Sequence, residues 1–363
     1  MKVFVDVYMA KNLGDDLFID ILSKKFPNTN FTLNYYGKGY DDFLSRYNNL
    51  KRSNYPVVYK VLNRLGIYDY INDAKRISRQ FDVLVFLGGS VFREESYWKD
   101  VYAQRMKLVQ EFRKQSKPVF ILGANFGPYK TEEFYSNYYS LFSQCNDVCF
   151  RESYSKELFK DLECVRSSAD IIFQTKIPTT TNKRKNIAYS IIDPSHKEGL
   201  ADYRDEYIKA VVGSIKNVID LGYTCTLMSF CKNEGDLKTC EEIFKSIPIN
   251  LKSYVKILDY QGDIEPILKE ISESQLIIAS RFHANILGVV AQTNILPLIY
   301  SDKTLNVLKD IGFKDKILRI EECKEINNKE MIEGLLTVHE QVSDLNDIKK
   351  NSLKHFSVLE NIL

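Results

Sequence analysis

An arginine and a histidine, separated by one residue, lie where a predicted strand ends and a predicted helix begins. The segment Ser280-Arg281-Phe282-His283 follows the apolar run 276–279 and precedes a helical pattern. Ser280 is expected to cap that helix, whose first turn offers free N–H groups to an anion. A guanidinium and an imidazole there suit phosphate or carboxylate chemistry, because one binds the anion and the other transfers a proton. The alternative is a helix start with one exposed charge and one half-buried ring.

A second polar group follows the first predicted strand. Asn12, Gly14 and Asp15 lie at the start of a predicted helix. One interpretation is a capped turn, in which the glycine serves the backbone geometry and the aspartate the free N–H groups. The other assigns the polar side chains to a sugar hydroxyl. The sequence favours the cap.

Two glycine-containing turns follow the third and fourth predicted strands. Gly88 and Gly89 end one strand, and Asn125 and Gly127 lie in the turn after the next. Glycines let a backbone approach a ligand closely, but a tight turn needs them equally. Neither turn matches the glycine pattern of a dinucleotide or nucleoside triphosphate site. The sequence therefore gives no support to either nucleotide site.

Further cations also end predicted strands. Arg151 either clamps a carboxylate or phosphate with its fork of donors, or forms a surface pair with Glu152. Lys303 is expected near a helix N-terminus, where the helix dipole disfavours a lysine unless an anion is bound. A lysine that points into water is the alternative. His196 follows another predicted strand and is a weak candidate for a functional residue, because a lone histidine in a loop is usually a solvated surface group.

Composition limits the classes of function. With 363 residues, 44% hydrophobic and 27% charged, the chain fits two globular domains. The 50 basic and 48 acidic residues are spread along the chain, which argues against a nucleic-acid partner. The seven cysteines form no CxxC pair. The zinc-ligand spacing is likewise absent from the four histidines, His196, His283, His339 and His355. We therefore expect free thiols and no metal site.

The N-terminus reads as a strand and not as a signal peptide. No run approaches the ~20 apolar residues that a membrane span needs. The sequence thus predicts a soluble, cytoplasmic protein.

Apolar runs without strict alternation are separated by helical patterns, as in parallel sheets buried on both faces. The predicted strands are 3–7, 31–35, 83–87, 119–122, 148–150, 187–192, 224–228, 255–258, 276–279 and 295–299. Residues 45–80 are expected to be helical with a break near Pro56, and the Thr-rich stretch 176–185 is the predicted linker.

We therefore predict an α/β fold of two Rossmann-like domains that face a cleft. Residues 1–175 form the first domain and residues 186–325 the second. Residues 326–363 form a helical tail that crosses back to the first domain.

Taken in order, the motifs resemble the polysaccharide pyruvyl transferase family over roughly residues 12 to 303. The matching positions are Asn12-Leu13-Gly14-Asp15, Gly88-Gly89, Gly123 to Pro128, Arg151 to Ser155, Asp170, Ser280 to His283, and Pro297 with Lys303. The sequence departs from the family pattern at Ser90, which follows the glycine pair, and at Glu152, where aspartate is usual.

The resemblance implies a fold similar to GT-B glycosyltransferases. It also implies transfer of a pyruvyl group from phosphoenolpyruvate to two sugar hydroxyls, which forms a cyclic ketal and releases phosphate. Phosphoenolpyruvate is then a co-substrate, and neither a metal nor a nucleotide is required. The acceptor would be a sugar of a bacterial-type surface polysaccharide or of its precursor. A lipid-linked acceptor would bring peripheral membrane association.

On this interpretation His283 is the acid that protonates the methylene carbon of the donor. Arg281, Arg151 and Lys303 would hold its carboxylate and phosphate, and either Asp15 or the leaving phosphate would act as base. The first domain would serve the acceptor and the second phosphoenolpyruvate. The further predicted substrate-binding residues are Ser280, Asn12, Gly14, Gly88, Gly89, Asn125 and Gly127.

Two other functions remain open on the sequence. One is a GT-B glycosyltransferase that uses a nucleotide sugar and holds its diphosphate with Arg281 and His283. The other is a glycan- or anion-binding module without turnover.

Overall fold

The computed structural model describes residues 1–178, 180, 182–337 and 340–363. Thr179 and Thr181 of the predicted linker, and Val338 and His339 of the predicted tail, lie outside the described residues. The chain divides into two compact units. Unit 1 comprises Met1–Met9, Phe18–Ile171 and Asn351–Leu363, and unit 2 comprises Ala10–Leu17 and Ile172–Lys350.

Unit 1 is built on a parallel sheet. Its strands, in the part of the chain that the structure describes, are β1 (Lys2–Val7), β2 (Asn30–Leu33), β3 (Leu50–Arg52), β4 (Val83–Leu87), β5 (Val119–Ala124), β6 (Asp147–Phe150) and β7 (Val165–Ser167). They lie in the order β3-β2-β1-β4-β5-β6-β7. Every residue of β4, β5 and β6 is buried, which explains why these runs do not alternate.

Unit 2 has a parallel sheet of its own. Over the described residues its strands are β8 (Asn186–Ile191), β9 (Thr224–Ser229), β10 (Val255–Asp259), β11 (Leu276–Ala279), β12 (Asn294–Ile299) and β13 (Leu318–Arg319). Their order is β10-β9-β8-β11-β12-β13. Strands β8, β11 and β12 are buried throughout, so the prediction of two parallel α/β sheets is confirmed.

The helices alternate with these strands. The first seven are α1 (Leu13–Lys25), α2 (Asp41–Leu44), α3 (Val57–Arg64), α4 (Ala74–Gln80), α5 (Trp98–Lys114), α6 (Glu132–Phe142) and α7 (Ser153–Leu158). The others, again over the described residues, are α8 (Arg204–Asp220), α9 (Asp236–Ser246), α10 (Glu265–Glu273), α11 (Phe282–Val290), α12 (Asp302–Asp310), α13 (Lys329–Leu336) and α14 (Leu345–Leu353). Of these described helices, none is long and apolar enough to cross a bilayer.

Two expectations about helices were partly wrong. Residues 45–80 hold two separate helices, α3 and α4, and also the short strand β3. The segment 326–363 is not one helix, because α13 and α14 are separate and the described residues between them are not helical. Strands β3, β7 and β13 escaped prediction because two or three residues are too few to set a pattern.

His355 anchors the last residues of the chain within unit 1. Its side chain is fully buried, and Nε2 lies 3.0 Å from the carbonyl oxygen of Ala169. Burial, together with the nearby Arg166 guanidinium, lowers the pKa of His355 to about 3. An unfolded chain regains the ordinary histidine pKa of about 6.5. The stability that this neutral side chain contributes is therefore complete above pH 6.5 and declines as the pH falls toward 3.

We predict that His355→Leu flattens the pH dependence of stability. Between pH 7.5 and pH 5 the wild-type chain should lose about 2 kcal/mol from this group, and the variant should not. The measurement is the fall in Tm between the two pH values. Phe356→Leu is the matched control, because it removes buried apolar contacts from the same segment without removing a titrating group. Equal falls in Tm for wild type and His355→Leu would contradict the assignment.

Candidate active site

The predicted motif 280–283 lies at the carboxyl end of β11, and α11 begins at Phe282, as expected. The predicted cap was wrong. Arg281 and not Ser280 occupies the N-cap position, and no side chain caps the helix. The Ser280 hydroxyl lies 3.1 Å from the Tyr207 hydroxyl, because the buried tyrosine needs a hydrogen-bond partner.

Arg281 is buried against two carboxylates. Its Nε donates to Asp236 Oδ2 at 2.8 Å, its Nη2 donates to the other oxygen of Asp236, and its Nη1 donates to Glu234 at 2.8 Å. Burial alone would lower the pKa of Arg281, but Asp236 and Glu234 outweigh it and raise that pKa well above its usual value. Only 5% of the residue is exposed. The arginine therefore joins the ends of two strands as well as contributing charge.

His283 packs against the first turn of α1. Its imidazole is half-buried, and the Phe282 ring stands edge-on to it with ring centroids 4.8 Å apart. A Cβ atom built on Gly14 would overlap the imidazole. The Asn12 side chain accepts a hydrogen bond from Gly14 N at 3.0 Å, so the turn is capped by Asn12, whereas the sequence assigned this role to the aspartate. The sequence predicted that the glycine serves the backbone geometry of the turn. Gly14 does not have a positive φ, so the turn itself does not require a glycine there. The close approach of the His283 imidazole requires it instead.

The two aspartates after Gly14 differ in burial. Asp15, the predicted base, is half-buried in the first turn of α1. Asp16 is fully buried and accepts a hydrogen bond from the Tyr260 hydroxyl at 2.6 Å. Asp15 is thus the more accessible carboxylate of the pair.

Two lysines surround the half-buried Tyr300, which follows β12. Lys197 Nζ lies 5.1 Å and Lys303 Nζ 5.5 Å from the centre of the Tyr300 ring. Burial would raise the pKa of Tyr300, but Lys303, Lys197 and Arg281 outweigh that effect and lower it. Lys303 is the second residue of α12, near the helix N-terminus as predicted. Its Nζ also lies 5.7 Å from the Phe282 ring.

Glu234 partly balances this charge. Its side chain pairs with both Lys197 and Arg281. Burial would raise the pKa of Glu234, but the two cations hold it well below its usual range. Lys197, Arg281 and Lys303 bring three positive charges to the surroundings of Tyr300, against the two negative charges of Glu234 and Asp236. Such a region of unit 2 can bind a small anion.

Sequence reasoning missed four of these residues: Lys197, Glu234, Asp236 and Tyr300. Lys197 directly follows the weak candidate His196, and Tyr300 lies in the strand-end run that contains Lys303. Their positions just after strands were the available signal. Among the described residues no group of three or more His, Cys, Asp or Glu is arranged to hold a metal ion.

The predicted residues of unit 1 form a separate network. Arg151 is 2% exposed, donates to Asp170 at 3.1 Å, and donates to the Asn125 side-chain oxygen at 2.6 Å. The predicted Arg151–Glu152 surface pair was wrong, because Glu152 is buried and caps α7 through Ser155. Arg151 therefore holds together the turns that follow β5, β6 and β7.

Glycines and amides complete this network of unit 1. The Asn125 amide donates to the carbonyl oxygen of Gly127 at 3.1 Å, and its oxygen also accepts from the Ser90 hydroxyl at 3.0 Å. A Cβ atom on Gly89 would lie 2.7 Å from Arg151 Nη1, and Gly88 has a φ of 106°. These two glycines therefore serve a close approach and a left-handed turn, respectively.

The structure thus brings the predicted site residues together in two sets, each within one unit. In unit 2 these are Asn12, Gly14, Asp15, Ser280, Arg281, His283 and Lys303, and in unit 1 they are Gly88, Gly89, Asn125, Gly127 and Arg151.

Solved structures share the fold of this chain. HepE from Anabaena, crystallised with UDP and glucose, superposes with a TM-score of 0.63 at 10% identity, covering 100% of this chain and 99% of that one. The UDP-GlcNAc 2-epimerase of Methanocaldococcus jannaschii superposes with a TM-score of 0.60 at 12% identity, covering 99% of this chain and 100% of the epimerase. These likenesses establish a GT-B-like fold.

Sequence comparison places the chain more narrowly. The amylovoran biosynthesis protein AmsJ of Erwinia amylovora is 23% identical over 307 residues, which cover 77% of this chain and 71% of AmsJ. The sequence model of polysaccharide pyruvyl transferases matches residues 9–302, a range that includes every motif position described above except Lys303, which is the next residue. The chain belongs to the polysaccharide pyruvyl transferase family.

Proposed function

We propose that this transferase moves the pyruvyl group of phosphoenolpyruvate onto two hydroxyls of a sugar, in the synthesis of a surface polysaccharide or its precursor. The product is a cyclic ketal, and inorganic phosphate is released. Family membership and the similarity to AmsJ support a role in polysaccharide synthesis. The observation that carries the proposal is the convergence of Lys197, Lys303 and Arg281 around Tyr300 in unit 2, with Lys303 also near the Phe282 ring that packs against His283.

Phosphoenolpyruvate matches this region in charge and in reactivity. It carries a carboxylate and a phosphate, and ammonium groups such as those of Lys197 and Lys303 stabilise both by charge-assisted hydrogen bonds. Arg281 contributes positive potential, although Asp236 and Glu234 already accept three of its hydrogen bonds. Its proposed part in donor binding is therefore to position the first turn of α11 as well as to attract the anion.

The proposed chemistry begins with proton transfer from His283 to the methylene carbon, which becomes a methyl group and leaves C2 electrophilic. One sugar hydroxyl adds to C2 and loses its proton. The bond between C2 and the phosphate oxygen then breaks, and the second hydroxyl adds to C2 and loses its proton in turn. Of the two protons released, one replaces that given by His283 and the other leaves with phosphate. Asp15 is the proposed base on the protein.

In this proposal the turns of unit 1 around Arg151 and Asn125 bind the acceptor. The hydrogen bonds of Arg151 to Asp170 and to Asn125 fix the backbone of these turns. The turns would therefore offer the acceptor a rigid binding surface. The proposal requires neither a metal ion nor a nucleotide.

The central experiment measures phosphate release from phosphoenolpyruvate over a panel of sugar acceptors in the presence of EDTA, with product masses checked for the added pyruvyl group. Wild-type protein should release phosphate only with a suitable acceptor. His283→Ala should lower the rate by roughly 10²-fold or more, the usual contribution of a positioned general acid. Nucleotide release from a nucleotide sugar would instead support the glycosyltransferase alternative. Binding of phosphoenolpyruvate without any product would support the binding module.

Gly14→Ala tests the position of the imidazole without removing it. The added methyl group overlaps His283, so the ring must move and turnover should fall by roughly 10²-fold. Gly334→Ala is the matched control, because a Cβ atom there meets nothing within 4 Å. A Gly14→Ala protein with wild-type turnover would show that the observed ring position has no role in catalysis.

Lys303→Ala tests binding of the donor anion. We expect the KM for phosphoenolpyruvate to rise about tenfold with a smaller change in kcat, since one charge-assisted hydrogen bond is lost. Lys309→Ala removes an exposed lysine from the last turn of the same helix and should leave both constants unchanged. If the two variants behave alike, Lys303 does not contact the donor.

A further inference from the structure

Helix α3 of unit 1 directs its apolar side chains outward. None of its residues is buried. Val57, Val58, Val61 and, just beyond the helix, Leu65 are 74%, 60%, 51% and 65% exposed. With 3.6 residues per turn these four positions fall within an arc of about 100°. A surface helix ordinarily buries such a stripe against its own domain, whereas α3 exposes its apolar stripe to solvent. Ile67, 66% exposed, extends the apolar surface.

The opposite side of α3 is what attaches it to unit 1. The Tyr59 ring stacks on the Tyr70 ring with centroids 4.4 Å apart, and the Asn63 amide donates to the Tyr55 hydroxyl at 3.0 Å. Tyr70 is 9% exposed, and the Arg76 guanidinium lies 3.8 Å from its ring centre. The helix is therefore held by aromatic and polar contacts that leave the aliphatic stripe facing solvent.

Basic residues are concentrated around this stripe. Residues 51–80 contain seven basic and two acidic residues, a net charge of +5, whereas the whole chain has +2 and the remainder is therefore net negative. Lys60 and Arg64 are exposed on α3 itself. Lys75, Arg76 and Arg79 line a cavity of about 440 Å³ together with Tyr59 of the helix. Lys60 and Arg64 therefore border the apolar stripe on the helix itself, whereas the basic residues of the cavity lie on its Tyr59 side.

We propose that α3 and residues 65–67, flanked by these basic side chains, dock the protein on an anionic lipid bilayer. The valines and leucine would enter the boundary between headgroups and acyl chains, and the lysines and arginines would contact lipid phosphates. Charge complementarity favours this occupant, because an aliphatic stripe bordered by one sign of charge matches a surface that is apolar beneath and negative above. The proposal does not depend on the donor chemistry of unit 2.

The test is flotation of the full chain with vesicles of phosphatidylcholine alone or with one quarter phosphatidylglycerol. We expect at least tenfold stronger partitioning to the anionic vesicles at 0.1 M salt, and a marked loss at 0.5 M salt. Val61→Ser combined with Leu65→Ser, and separately Lys60→Glu combined with Arg64→Glu, should each lower partitioning about tenfold or more. Because these side chains are exposed, the Tm of each variant should stay near that of wild type.

Ile249→Ser is the matched control. Ile249 is 84% exposed, as apolar as the α3 residues, and lies in unit 2. Its short helical turn, Ile249–Tyr254, carries a single basic residue, Lys252. It should bind vesicles as the wild type does. Absence of vesicle binding by the wild type, or equal binding by the α3 variants, would overturn the proposal. The proposal would also be overturned if the wild type were a dimer that does not bind vesicles and the Val61→Ser, Leu65→Ser variant were a monomer. The stripe would then be an interface between two copies of the chain. None of these readings requires phosphate release, so they are independent of the proposed transferase reaction.

Discussion

Asp236 carries the interaction on which the candidate site of unit 2 depends. Its carboxylate accepts hydrogen bonds from the Arg281 guanidinium and from the backbone N–H groups of Phe230 and Cys231. It therefore ties the turn after β9 to the start of α11, and so fixes the backbone two residues before His283. Because Asp236 is fully buried, removing the Arg281 guanidinium would leave this carboxylate without its cation, at a cost of about 3–5 kcal/mol.

The same arrangement occurs in unit 1. Arg151 follows β6 and pairs with the buried Asp170, as Arg281 follows β11 and pairs with Asp236. In both units a buried arginine at a strand end holds neighbouring turns together through several N–H donors of its planar guanidinium. A lysine could not replace it, because an ammonium group lacks this planar arrangement of donors. In unit 2 the half-buried Lys197 and Lys303 are then the cations best suited to meet an anionic donor. The buried arginines thus shape the turns of the site, whereas the two lysines are the residues that we propose to contact the donor.

Close packing explains the glycines that pattern recognition singled out. Gly14 leaves room for the His283 imidazole, and Gly89 leaves room for the Arg151 guanidinium. At each position a larger residue would displace the neighbouring side chain, the His283 imidazole in one case and the Arg151 guanidinium in the other. Gly14 and Gly89 are thus spacing elements for a ring and a guanidinium group, whereas Gly88, Gly123 and Gly127 have the positive φ of left-handed turns.

The sequence by itself determined the α/β class, most strands and the strand-end position of each motif, because buried parallel strands are apolar without alternation and loops follow them at fixed points. It did not determine which charges meet. Arg281 pairs with Asp236 and Arg151 with Asp170, and no local spacing encodes such pairs, since electrostatic attraction depends on distance in space. Nor could it show that the stripe of α3 faces outward: helical period reveals that a face is apolar, but only tertiary packing decides whether anything covers it.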